Sequence, residues 1–561
     1  MSLLLPVPAP RPRRAWLVFV ALLVSAWALF LPSNGAPGTF PGDPTLPYAP
    51  VTLNLHWQLH TRGLAGLTAD DLHGFPMRTD RLVTDGVPVD ALASWPFAAA
   101  FGEATGMWVW ALVTLWAVGA AAAWLGMRWW GTLGAGLVAG VGYQVGEALL
   151  REVGDGRPTQ AFAAIFLPLA LGLGAEAARR AGTGATRAAL GAGLFAGIGT
   201  LASWNLGPMF LLAALGPMGL RVALQGRSGA AGGGALGTAL VVFTAFAVLV
   251  LPALGWMATG RSEVPSLGMD PWQEVVIGLR QVRPVDLAAA RIYGLEGVAL
   301  GTLGRPVLLV AAAWAVWRAR ARFVALPLAT ACLLALLGLG AWLPGPVALP
   351  WGWLQALPGA ARLWWPDRSW IGVALGLSLL AAGTPPRVAF LVALGVFGEA
   401  WALSRALPFD RVPLGPSPSA EVLAQAPHVP FVLLPTGQGP FRSDRLDLVD
   451  QLRHGRPMAN GTRPVLDLTS SDAVLRNWRN NAGLRALLAC EIGVGASASD
   501  MTATPDTEAT ATPALVHAGL SEVYLDPRYV DDDPAYAACI EGVLAGWSRS
   551  EEPPLVRFRA P

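Results

Sequence analysis

Two groups of residues in this chain carry reactive chemistry: acids and histidines spread through one long polar stretch, and arginines set among tryptophans. The stretch 33–106 opens with Phe40-Pro41-Gly42-Asp43-Pro44-Thr45. A carboxylate on such a Pro/Gly-rich turn can take a proton from an acceptor hydroxyl as a general base. It can equally cap the turn and the helix that follows, and local chemistry leaves both readings open. His56 and His60 come next, four residues apart, which places two imidazoles on one face of a helix over Tyr48–Arg62 as helical metal sites require. A divalent cation there would need Asp70, Asp71 or His73 to fold back as a further ligand; packing through Trp57 is the alternative use of the same helix. Thr68-Ala69-Asp70-Asp71 also reads as the start of a short helix. Asp155 and Arg157 sit in the segment 151–160, which either helps to hold a sugar or phosphate or turns two helices in water. The run Leu357-Pro358-Gly359-Ala360-Ala361-Arg362-Leu363-Trp364-Trp365-Pro366-Asp367-Arg368 joins guanidinium groups to indoles. Guanidinium forks bind phosphate oxygens while indoles anchor at head-group depth, so Arg362 and Arg368 suit a phosphate-bearing lipid. An aromatic belt with arginines reaching for bulk lipid is the competing use.

The elements that must position these residues follow from composition. Of 561 residues, 54% are hydrophobic and only 14% charged, with a mean hydropathy of +0.48. Soluble domains carry roughly a quarter charged residues, so the chain is a polytopic membrane protein. The 39 basic residues, all arginine, nearly balance 37 acidic ones, which gives no electrostatic case for nucleic acid. Lysine chemistry such as Schiff bases or a P-loop is excluded. A bilayer-spanning helix needs roughly 20 mostly apolar residues. Such runs lie near 15–31, 107–126, 129–150, 160–178, 188–204, 206–222, 233–257, 299–317, 323–343, 369–384 and 388–404, about eleven spans in all. The first is read as a retained anchor rather than a cleaved signal.

Arginines fall on alternate sides of these spans: Arg11, Arg13 and Arg14, then Arg128, then Arg179, Arg180 and Arg187, then Arg221 and Arg227, then Arg318, Arg320 and Arg322, then Arg387. The positive-inside rule makes that side cytoplasmic. The N-terminus is then inside, and the stretch 33–106, the loops 151–159, 259–298 and 344–368 and the tail from about Arg405 are outside, with nearly all the acid. The expected organisation is a transmembrane domain 1–404 followed by a soluble extracytoplasmic α/β domain 405–561. Strands are expected at 430–435, 521–526 and 554–558, helices at 443–453, 471–488 and 534–544, and a mobile loop at 501–513. Cys490 and Cys539 lie in this tail, where a disulfide is permitted and sequence alone leaves it undecided.

Taken together, an N-terminal anchor followed by an outer-face aspartate, a long first loop, about eleven spans, the Leu-Pro-Gly to Trp-Pro-Asp-Arg segment and a soluble tail resemble the bacterial GT-C-type membrane glycosyltransferases, in a poorly characterised branch. His454-Gly455-Arg456-Pro457-Met458-Ala459-Asn460-Gly461 and Gly519–Leu525 are similar to elements found in the tails of such chains. The resemblance implies a polyprenyl-phosphate sugar as donor, an extracytoplasmic glycan, lipid or protein as acceptor, and a site at the outer face of a bacterial inner membrane. It implies Asp43 as catalytic base and Arg362 and Arg368 as ligands of the donor phosphate. The reaction expected is direct displacement with inversion at the anomeric carbon. A non-catalytic envelope scaffold and a lipid-linked glycan transporter remain as alternatives; the scarcity of ionisable groups near span centres speaks against a proton-coupled transporter.

Overall fold

The computed structural model describes residues 14–33, 38–42, 48–67, 69–70, 79–80, 88–156, 158–203, 206–225, 229–259, 302, 304–318, 366–404, 406–414, 417–435, 453–459, 481–493, 506–530 and 533–561. Its contacts fall into two units. One comprises Met1–Asp43, Gly86–Ala258 and Val275–Val412; the other comprises Pro44–Asp85, Thr259–Glu274 and Pro413–Pro561.

The first unit is helical. Six helices among the described residues are long and apolar enough to cross a membrane: Ala15–Ser33, Glu103–Trp130, Ala161–Arg179, Gly182–Ala202, Gly234–Ala253 and Pro386–Leu403. They include α1 (Ala15–Phe30), which in sequence precedes strand β1 (Thr39–Pro41), helix α2 (Tyr48–Arg62), strands β2 (Ala69–Asp70) and β3 (Thr79–Asp80), and helices α3 (Pro88–Phe101) and α4 (Glu103–Trp130). Next come α5 (Leu133–Gln144), α6 (Glu147–Gly154), α7 (Pro158–Ala163), α8 (Phe166–Arg179), α9 (Gly182–Ala202), α10 (Gly207–Gln225) and α11 (Gly229–Thr259). The shorter α12 (Pro306–Arg318) and α13 (Trp370–Ala381) and the long α14 (Pro386–Leu403) complete the unit.

The span expected at 129–150 is broken rather than continuous: α5 and α6 meet at an angle of 46°. Gly146 leaves helical geometry at φ −55° and ψ 130° between them. Counting the bent pair as one gives up to seven spans among the described residues, and the run expected at 323–343 lies outside them. The runs expected at 299–317 and 369–384 form α12 and α13, which at 13 and 12 residues are shorter than a full bilayer crossing.

The hub of this unit is α5, which packs against α1, α4, α13 and α14. Its sequence, LGAGLVAGVGYQ, explains why. A Cβ at Gly140 would lie 2.8 Å from Leu22 and 2.9 Å from the Gly119 carbonyl, and one at Gly142 would lie 2.7 Å from Ser378 Oγ. Small residues thus let three neighbouring helices approach closely, the packing that membrane helices rely on in lipid. At its end Gln144 donates from Nε2 to the carbonyls of Leu22 (3.1 Å) and Leu115 (3.2 Å), tying α1 and α4 to α5 by buried hydrogen bonds.

In the second unit α2 is followed by β2 paired antiparallel with β3. Asp70 therefore lies in a strand opposite Thr79 and not at the start of a helix. The tail adds α15 (Pro418–Gln425), β5 (Phe431–Leu434), α16 (Ala482–Gly493), α17 (Asp506–His517), β6 (Glu522–Leu525), α18 (Pro534–Val543), β7 (Ser548–Glu552) and β8 (Leu555–Arg559), while β4 (Arg411–Pro413) before them belongs to the first unit through Val412. The sheet has order β5-β6-β8-β7, with β5 and β6 parallel and the rest antiparallel. Strand β7 reads Ser-Arg-Ser-Glu-Glu, an exposed polar edge with no apolar alternation to signal it. The loop expected at 501–513 is helical from Asp506 onward, because Ala511 and Leu515 are buried and Leu515 packs where Gly483 of α16 leaves room. The helix expected at 443–453 lies almost wholly outside the described residues. Cys490 and Cys539 are bridged, with their Cα atoms 5.7 Å apart, joining α16 to α18 across 49 residues.

Candidate functional site

The chain leaves α1 and returns from α14 at the same place. Phe409 donates its backbone N–H to Ser33 Oγ at 2.7 Å, and the Gly42 N–H bonds the Asp410 carbonyl at 2.9 Å. Strand β1 pairs with β4, and Trp108 of α4 donates its indole N–H to the Thr39 carbonyl at 3.0 Å. Phe30 fills the corner, with ring centroids 5.6 Å from Trp108 and 4.9 Å from Phe409. Residues 39–42 are therefore fixed against the end of the helical unit, immediately before Asp43. Asp43 itself, like Asp71, Arg157 and Arg362, lies outside the described residues.

Beyond the break after α5, the helical unit buries a set of opposite charges, one of which, Glu152, belongs to the segment 151–160 that reads in sequence either as a sugar or phosphate site or as a turn in water. Glu147, the first residue of α6, accepts a hydrogen bond from Arg305 Nη2 at 3.1 Å, and both side chains are under 5% exposed. Glu152, five residues on, lies 3.5 Å from Arg368 Nε, with both again nearly inaccessible. That separation is an ion pair rather than a tight hydrogen bond. Arg305 stands just before α12, and Arg368 lies in the 3₁₀ turn Pro366–Ser369 just before α13. On α14, Glu399 accepts the Val307 backbone N–H with Oε1, holding the first turn of α12. The short amphipathic α6 thus presents two carboxylates to guanidinium groups from two other segments. A buried charge is tolerated only with a partner, and each of these four has one. Sequence reading picked out Arg368 but missed Arg305 and Glu152; the available signal was a pair of acids, Glu147 and Glu152, beside a Gly-marked interruption of an apolar run.

The other predicted residues are dispersed. On α2, His56 is fully buried while His60 is exposed, so the two imidazoles do not face a common point. Asp70 is in β2, and Asp155 is the half-buried C-cap of α6, its N–H bonded to the Arg151 carbonyl at 2.7 Å. No group of three or more His, Cys, Asp or Glu suited to a metal ion occurs among the described residues.

The tail motif around Arg456 has a structural task. Gly455 adopts φ +60°, a left-handed conformation that favours glycine, and Trp57 lies over it, 3.6 Å from where a Cβ would stand. Arg456 is 1% exposed. It donates to the Val429 carbonyl (3.1 and 3.2 Å) and to Glu522 (2.6 Å), and stacks on Phe431 with its Cζ 4.6 Å from the ring centroid. Tyr524 and Arg557 also donate to Glu522. Burial works to raise the Glu522 carboxyl, but hydrogen bonds from Arg557, Tyr524 and Arg456 outweigh it and hold the group below its ordinary value. Burial pushes the Tyr524 phenol up to about 12.

No family model matches the sequence, and no curated protein matches it. Solved structures do. Two classes of the arabinofuranosyltransferase AftD from Mycobacteria superpose with TM-scores of 0.53 and 0.51 at 15% and 13% identity, each covering 99% of this chain and 42% of that one. The apo oligosaccharyltransferase of Archaeoglobus fulgidus gives a TM-score of 0.50 at 11% identity, covering 96% of this chain and 73% of that one. The chain thus spans about two-fifths of the length of the arabinofuranosyltransferase it matches. Both neighbours are GT-C glycosyltransferases, and at these identities the likeness establishes that fold.

Proposed function

We propose that this membrane protein of GT-C fold is a glycosyltransferase that moves a sugar from a polyprenyl-phosphate donor to an extracytoplasmic acceptor in one inverting displacement. The observation that carries the reading is a fold shared over 96% or more of the chain with two glycosyltransferases. In this mechanism Asp43 takes the proton of the acceptor hydroxyl, whose oxygen attacks the anomeric carbon. The bond from that carbon to the phosphate oxygen breaks, and polyprenyl phosphate leaves with the electron pair. Arg362 and Arg368 stabilise the charge that develops on the departing phosphate, with Arg368 held in one orientation by Glu152. The anchored strand β1 supports the role of Asp43, since it fixes the backbone that immediately precedes the carboxylate.

In the same reading, residues 1–404 make up the part in a bacterial inner membrane and 405–561 stand outside, with the N-terminus in the cytoplasm. The arginine distribution and the Cys490–Cys539 bridge both support that orientation. A second reading, a non-catalytic envelope scaffold, draws on the Arg368–Glu152 pair, because a guanidinium already balanced by a buried carboxylate has less charge to offer a phosphate. The two separate in one assay: purified protein in lipid is given a panel of polyprenyl-phosphate sugars and free polyprenyl phosphate is followed with time. Release from at least one donor, dependent on acceptor, supports the transferase; no release from any donor favours the scaffold.

A further inference from the structure

At the end of the helical unit opposite the Glu147 and Glu152 pairs, arginines from three helices gather at the end of α8, two of them on a single acid. Arg128, in the last turn of α4, donates to Glu176 of α8, and Arg180, just beyond α8, pairs with the other oxygen of the same carboxylate. Glu176 is 7% exposed. Arg179 lies within electrostatic reach of Arg128, Arg180 and Glu176. Arg221 of α10 reaches across to donate to the Ala178 carbonyl at the end of α8. Trp124 lies under Arg128, 5.6 Å from its Cζ to the ring centroid. Among the described residues, two guanidinium groups thus share one carboxylate, Arg179 and Arg221 lie beside them at the end of α8, and exposed Arg187 on the first turns of α9 adds to the same end.

Helix C-termini favour cations, which accounts for some of this charge. The positive-inside distribution accounts for arginine on this side of the membrane; neither effect by itself brings guanidinium groups of three helices to the end of α8 beside one acid. Excess guanidinium charge beside an indole, at the end of membrane-length helices, matches a phosphodiester whose acyl chains lie along the bundle. Arg180 is half exposed and Arg128 only a fifth exposed, so the cluster is open on one side and backed by protein on the other.

We propose that Arg128, Arg179, Arg180 and Arg221 form a binding site for the head group of an anionic phospholipid, separate from the site of sugar transfer and independent of that activity. The geometry of the cluster selects a lipid over a free ion because the flanking helices expose apolar residues along their length, including Leu190 and Leu194 of α9 and Leu212 of α10.

The test uses the full chain in nanodiscs or mild detergent, with phosphatidylglycerol, phosphatidylcholine and inorganic phosphate as probes. Bound lipid is read by native mass spectrometry and thermal stabilisation. Retention of phosphatidylglycerol over phosphatidylcholine is expected, falling roughly fivefold in Arg180→Gln and further in Arg180→Gln with Arg221→Gln, at about one surface charge per step. Arg180→Lys should restore most of it, and Arg387→Gln, on a helix outside the cluster, should leave it unchanged. Equal retention of the two lipids, an unchanged preference in Arg180→Gln, or stabilisation by inorganic phosphate equal to that by phosphatidylglycerol would overturn the assignment. Arg180→Gln removes an exposed surface pair, so it tests the site even where the double variant does not fold.

Discussion

Arg368 and Glu152, far apart in sequence, lie 3.5 Å from each other with side chains only 4% and 6% exposed. The pair ties α6, the far half of a broken span, to the turn that opens α13. Taking one charge away strands the other in a region of low dielectric, so Glu152→Leu or Arg368→Met alone should cost about 3–5 kcal/mol. The double variant should cost clearly less than the sum of the two. A double-mutant cycle on thermal unfolding in detergent measures this; additive costs would mean that the two side chains do not interact.

Close packing of α5 makes a second expectation. Gly140→Val places methyl groups where Leu22 and the Gly119 carbonyl already stand, at 2.8 and 2.9 Å from the first added carbon. Overpacking of this kind costs about 1–3 kcal/mol or forces α5 away from α1 and α4. Gly398→Ala, on α14 with open space around it, serves as the comparison and should be nearly neutral. Equal melting temperatures for the two variants would contradict the arrangement of α1, α4 and α5.

The Cys490–Cys539 bridge closes 49 residues. By loop-closure entropy it should stabilise the tail by about 2–4 kcal/mol. Cys490→Ser with Cys539→Ser should therefore lower the unfolding temperature of the tail. Protein isolated under non-reducing conditions should show only Cys332 as a titratable thiol; three free thiols would refute the bridge.

Glu522 gives a pH dependence. Its carboxyl is held below the ordinary value of 4.5, so its contribution is fully present above that value and is lost as pH falls through the lower folded value. Tyr524, pushed up to about 12, adds stability that is present below its ordinary value of 10 and lost as pH climbs from there toward 12. Glu522→Gln should flatten the acid limb of a stability profile and move the alkaline limb to lower pH, because burial still raises Tyr524 but the carboxylate that accepts its hydrogen bond is gone. An acid limb as steep in Glu522→Gln as in wild type would place the titrating group elsewhere.

Much of this architecture is legible in the sequence, because apolar length reports membrane-length helices directly. The helices at 15–30, 103–130 and 386–403 and the strands at 431–434 and 522–525 fall where periodicity and composition put them. What escapes is set by tertiary contact. A one-residue irregularity at Gly146 turns an apolar run into two helices, and only the fold shows that Glu152 is buried and not in a solvated turn. His56 and His60 have metal-site spacing, yet one faces the interior and the other solvent, which spacing cannot report. The Arg456 motif was legible as a motif, but its task as the buried partner of Glu522 needed a partner 66 residues away.

The most direct test of sugar transfer compares wild type with Asp43→Asn in lipid, using the polyprenyl-phosphate sugar that wild type turns over, with and without a divalent-metal chelator, and reads both free polyprenyl phosphate and the anomeric configuration of the product. Wild type should release polyprenyl phosphate and yield product of inverted configuration. Asp43→Asn should lose about 10²-fold or more in rate, as expected for removing a general base. Equal release by both proteins, or product of retained configuration, would contradict the role assigned to Asp43 and the single displacement.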